Sequence, residues 1–161
     1  MNTAVTKDTI FISGNGMSVQ LTDVVDRINT YLGDENEYTL DVGTDSQTNL
    51  TTKFVTAIVI CKPGRGGIFF YRPLVFEKMP RLRDRIYTET TLSINCSSEL
   101  INLFLDSGIL RDVTIHCDVG PNGKTRELIR EIVGYVTAYG FDCKIKPETT
   151  LACCVADKYS K

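Results

Sequence analysis

Apolar positions along the chain change period several times, and each change predicts an element. Leu21, Val24, Val25, Ile28, Tyr31 and Leu32 share one face at helical spacing, which predicts a short helix behind a Gly- and Ser-containing leader over residues 13–18. Gly33-Asp34-Glu35-Asn36 reads as a turn. Strand-like runs follow over residues 38–45, 54–61 and 67–75, separated by short polar or Gly-containing turns, and predict an antiparallel meander. From residue 81 to residue 106 the period becomes helical, with Gly108 as its stop signal. Residues 113–119 then read as a strand, 125–139 as a helix ending at Gly140, 141–145 as a strand and 149–159 as a closing helix. The order βββαβαβα makes this an α/β chain. Its fourth and fifth strands are reached through helices and run parallel to the first, in a mixed sheet covered by helices on its faces.

Four acidic residues stand out against this pattern. In the long helix, Leu82, Ile86, Ser93, Cys96, Leu100 and Phe104 form one stripe, and Glu89 lies about 20 degrees from Leu82 and Leu100, so it points at the sheet. A salt bridge to Arg85 or a slightly rotated helix is the plainer account of it. Asp45 ends the first predicted strand and Asp118 the fourth, and neighbouring parallel strands of an open α/β sheet expose their carboxyl ends on the edge where ligands bind. Either aspartate alone is more commonly a turn-forming residue, and it is the pair on adjacent strands that favours a site. Asp157 lies on the closing helix, one turn beyond Cys153. A buried bare carboxylate costs several kcal/mol or protonates, so a set of them points to a compensating cation. Hard oxygen donors of this kind suit Mg²⁺, which takes a few carboxylates, water and substrate phosphate.

Composition narrows the field. A chain of 161 residues with 42% hydrophobic and 24% charged residues suits one globular domain, with residues 1–37 as a leader and helix packed on a domain over 38–161. No apolar run is long enough for a membrane span and no signal-peptide pattern opens the chain, which predicts a cytoplasmic protein with no membrane partner. The cysteines Cys61, Cys96, Cys117, Cys143, Cys153 and Cys154 lack CxxC spacing and read as small buried hydrophobes. Net charge is -2, yet residues 62–85 carry Lys62, Arg65, Arg72, Lys78, Arg81, Arg83 and Arg85 against Glu77 and Asp84, so this stretch is either a polyanion contact or a solvated charged surface. Gly120-Pro121-Asn122-Gly123-Lys124-Thr125 lacks the first glycine of a phosphate-binding P-loop, because Asp118 stands at that position; no nucleoside triphosphate cofactor is expected. The loop reads as a turn whose Asn122 or Thr125 caps the following helix, with N–H groups able to meet a phosphate. His116, the one histidine, lies two residues before Asp118 on a strand and reads as a core imidazole.

The order of elements and acids resembles the ribonuclease H fold. Local strings resemble more closely the YkuK-like group of uncharacterised, mostly bacterial RNase H-like proteins: Gly43-Thr44-Asp45-Ser46-Gln47, Arg85-Ile86 with Glu89-Thr90, His116-Cys117-Asp118-Val119-Gly120 with Asn122-Gly123, Lys144-Ile145-Lys146-Pro147, and Val155-Ala156-Asp157-Lys158. The resemblance implies a five-stranded sheet of order 3-2-1-4-5, with strands 1–3 antiparallel, 4 and 5 parallel to 1, helices on both faces and an added N-terminal helix. It further implies a nuclease hydrolysing phosphodiester bonds of RNA, DNA or a hybrid with two Mg²⁺ or Mn²⁺ ions. Asp45, Glu89, Asp118 and Asp157 would be the catalytic and metal-ligating residues, with Asp45 bridging. Ser46, Arg85, Asn122, Lys146 and Lys158 would contact substrate. The mobile histidine that many such enzymes carry near the fourth acid is absent from this chain. A non-catalytic nucleic-acid-binding or assembly module on the same fold is the alternative.

Overall fold

The computed structural model describes residues 3–148 and 158–161. Its elements run β1 (Ile10–Ser13), β2 (Ser18–Gln20), α1 (Leu21–Leu32), β3 (Thr39–Thr48), β4 (Thr51–Cys61), β5 (Gly67–Glu77), α2 (Leu82–Ser107), β6 (Thr114–His116), a 3₁₀ turn (Arg126–Leu128), α3 (Ile129–Ala138) and β7 (Asp142–Lys144). One mixed sheet holds all the described strands in the order β2-β1-β5-β4-β3-β6-β7. The meander β3-β4-β5 is antiparallel throughout, and β6 and β7 run parallel to β3, as the sequence predicts for its five central strands.

Seven strands replace the five expected, because the leader is a hairpin. β1 pairs with β2 and also with β5 through Ile12–Tyr71 and Ser13–Phe70. Between them, Gly16 takes a positive φ of 86° and its N–H donates to Ser13 O, a turn that a side chain at Gly16 would strain. Phe11 and Val19 are buried in the main core, which explains why so short a hairpin holds its place.

Strand alternation divides the core. Leu40, Val42, Ile58, Ile60 and Phe70 face α1 and the second half of α2, meeting Val24, Val25, Ile28, Leu100 and Phe104. Ile115 and Cys117 meet Ile86 and Ile94 of α2 and Ile132 and Val136 of α3. The described helices α1, α2 and α3 therefore cover one face of the sheet. On the other, Val55, Ala57 and Val59 are packed by Phe69, Tyr71 and Tyr159. Tyr159 belongs to a helical turn over residues 158–160 and stacks on Tyr71 with ring centroids 3.9 Å apart. The remainder of the closing helix expected over 149–159 lies outside the described residues. No described helix is long and apolar enough to cross a membrane.

Three local differences bear on the site. β3 does not end at Asp45 but runs on to Thr48, held by β4 through the pairs Asp45–Val55 and Thr48–Thr52. β6 is shorter than expected, because it pairs with β3 only from Asp41–Thr114 to Gly43–His116. Beyond it, the chain stays with the β7 segment alone: Cys117 N–H donates to Lys144 O and Lys146 N–H to Val119 O, each at 2.9 Å. The sheet therefore parts between β3 and the chain after β6.

Candidate metal centre

Asp45, Glu89 and Asp118 meet where the sheet parts. One carboxylate oxygen from each lies within 4.8 Å of the others, a separation that a single cation could bridge. Alternation sets Asp45 on the face opposite Thr44 and Ser46, which look toward α2, so the carboxylates can meet only beyond the last β3–β6 pair. Asp118, two residues past the end of β6, turns into that opening, and Glu89 reaches it from α2. Glu89 is 6% exposed and Asp45 9%. Burial, and then the neighbouring Asp45 and Asp118 carboxylates, hold the Glu89 carboxyl well above its ordinary range, against weaker opposition from Arg85 and the Ser46 hydroxyl.

The surroundings are polar and largely satisfied. Ser46 Oγ donates to Glu89 Oε2 at 3.4 Å, and Ser160 Oγ donates to Asp45 Oδ2 at 3.1 Å from the opposite face. Behind Glu89, the hydroxyls of Thr56, Thr44 and Ser93 form a chain with spacings of 2.9 and 2.8 Å. Lys146 Nζ lies 2.6 Å from Asp118 Oδ1. Three hard oxygen donors, one of them biased toward its neutral form by burial and its neighbours, are a donor set that could hold a hard divalent cation.

Residues 23–161 match the profile of the family described as Ribonuclease H-like. The chain belongs to the ribonuclease H-like family. It is also similar to the "Uncharacterized protein YkuK" of Bacillus subtilis (strain 168), with 28% identity over 173 aligned positions that cover 94% of this chain and 98% of that protein. No solved structure matches it significantly. Within this ribonuclease H-like chain, three of the four predicted acids come together, while Asp157 lies outside the described residues.

The expected substrate contacts are scattered more widely. Ser46 is buried with its hydroxyl turned to Glu89, and Arg85 lies one helical turn before Glu89, with its Nε buried and unpartnered. Asn122 is exposed in the 120–125 loop, where the Thr125 hydroxyl accepts the Gly120 N–H at 3.1 Å rather than capping the helix turn after it. Lys158 is exposed, its Nζ 5.3 Å from the Tyr159 ring centroid. Much of the basic charge over residues 62–85 is paired internally: Arg65 with Glu35, Arg81 with Asp84 and Arg83 with Glu131. His116 is a core imidazole, 2% exposed, with Nε2 at 3.1 Å from Asp41 Oδ1 and neither ring nitrogen in a hydrogen bond among the described residues. Cys96 and Cys117 are buried, whereas Cys61 and Cys143 are half-buried, so the small-hydrophobe account holds for only part of the set. Ser160 and the Thr56–Thr44–Ser93 chain escaped the sequence, since single hydroxyl residues carry no periodic signal.

Proposed function

We propose that this protein is a divalent-metal-dependent nuclease that hydrolyses nucleic-acid phosphodiester bonds. The observation that supports it most is the convergence of Asp45, Glu89 and Asp118 at the parting of the sheet. Asp45, approached from both faces, would be the shared ligand; Glu89 and Asp118 would complete one position and Asp157 the second. Two Mg²⁺ or Mn²⁺ ions bound there would activate water for in-line attack and stabilise the leaving 3′ oxygen. The residues around them have separate tasks. Ser46 fixes the rotamer of Glu89, Ser160 that of Asp45, and the buried Thr44 and Ser93 hydroxyls keep the floor of the site polar and rigid. Lys146, Lys158 and Arg85 supply positive charge to a phosphate backbone, and Ser46 and Asn122 supply hydrogen bonds beside it.

The test uses purified protein with labelled single-stranded, double-stranded, hybrid and branched oligonucleotides in Mn²⁺. Cleavage is expected, and Asp118→Asn should abolish it. Cleavage that survives this substitution would trace to a contaminant. Binding without cleavage would instead favour a nucleic-acid-binding module on this fold.

A further inference from the structure

We propose that Lys146 is a tethered cation that competes with a divalent ion for Asp118, so that metal binding and release of the Lys146 ammonium are one exchange. The inference rests on the metal-centre reading above and adds to it a residue that sets how readily the centre loads. Lys146 Nζ lies 2.6 Å from Asp118 Oδ1, a charge-assisted contact on a carboxylate that also has an oxygen within 4.8 Å of oxygens of Asp45 and Glu89.

The lysine is seated, not merely nearby. Its N–H donates to Val119 O at 2.9 Å, one residue beyond Asp118. Its stem then crosses Gly120, where an added Cβ would stand 2.8 Å from Lys146 Cβ and 3.4 Å from Cδ. Only a bare glycine lets the stem lie so close to that backbone. Held at its base, the ammonium meets Asp118 at high effective concentration and loses little further freedom on pairing. Its release is equally easy: the side chain is 54% exposed, so the head can turn into water without repacking the core. An ammonium brings one positive charge and no coordination position, whereas a divalent ion brings two charges and joins all three carboxylates; the ion wins, but at a weakened apparent affinity.

Calorimetric Mn²⁺ titration of the full chain tests the exchange. Lys146→Met, which keeps the stem, should bind Mn²⁺ about threefold to tenfold more tightly, the factor by which a competing state weakens apparent affinity. Gly120→Ala keeps every charge but unseats the stem and should also tighten binding. Lys144→Met removes a nearby charge away from Asp118 and should leave the affinity close to that of the parent. In NMR spectra of the lysine ammonium groups, the Lys146 signal should move with Mg²⁺ along the same binding curve, and Asp118→Asn should remove that response. Equal affinities for the parent and Lys146→Met would overturn the exchange while leaving the metal centre standing. Weaker binding by Lys146→Met would overturn it by making the lysine a support. An equal gain from Lys144→Met would reduce it to long-range charge. Failure of every form, including the parent, to bind Mn²⁺ would sink the metal centre and the exchange together.

Discussion

The two halves of α2 do opposite things with the same backbone. Its second half gives Cys96, Leu100, Leu103 and Phe104 to the core shared with α1, and ends at Gly108, whose positive φ of 79° closes the helix. Its first half is as deeply buried around Glu89, Thr90 and Ser93, yet presents a carboxylate and two hydroxyls. Apolar burial stabilises the helix at one end, while at the other buried carboxylates face one another and desolvation works against them. One end anchors the helix so that the other can hold a buried, polar site in place.

The comparison breaks first at the apolar end. Phe104→Ala should destabilise the protein by about 3–5 kcal/mol. Thermal unfolding would register this, while Mn²⁺ affinity measured on the protein still folded should stay unchanged; a large loss of affinity would mean that the halves are not independent. At the polar end Glu89→Gln should do the reverse. Without metal it should stabilise the protein by on the order of 2 kcal/mol at neutral pH, and it should weaken Mn²⁺ binding by tenfold or more. The sign follows from the raised carboxyl of Glu89. The folded state holds that proton more tightly than the unfolded chain, so the stability is fully present below the ordinary carboxyl value and is lost as pH rises through the raised folded one. Urea titrations of the metal-free protein across that window should show stability falling with pH, and Glu89→Gln should flatten this share of the slope. The smallest effect belongs to the hydroxyl chain. Thr44→Val should cost about 1 kcal/mol by leaving Thr56 and Ser93 without their shared partner, with a slight loss of metal affinity; an unchanged unfolding midpoint would remove the chain from the supporting structure.

How much of this was legible depended on whether a residue sat inside a periodic run. Glu89 was visible because α2 carries a long apolar stripe and the acid falls within it. The central strands were visible because their runs are long and apolar. The β1–β2 hairpin is legible only in its turn: Asn15-Gly16 between Ile10-Phe11-Ile12 and Ser18-Val19-Gln20 is a hairpin signal, but the strands are too short to show alternation. Polar residues after Asp45 read as the end of a strand, but pairing with β4 carries β3 to Thr48 regardless of local composition. The same effect hid the parting of the sheet, since where β6 leaves β3 is decided by tertiary pairing. The Lys146–Asp118 contact crosses from one loop to another and has no local signature at all.

The unexpected hairpin also settles how the sheet ends. Each outermost strand, β2 and β7, is only three residues long, too short to template another chain. Between them, no described strand pairs with the outer edge of β5 past Tyr71, where its pairing with β1 ends. Phe69 turns its carbonyl outward to accept the Gly14 N–H, so alternate residues face outward and Pro73 takes the next open place, where a residue without an N–H donor cannot extend a ladder. At its two ends and at Pro73, a sheet with so long a central meander therefore offers little for another strand to pair with.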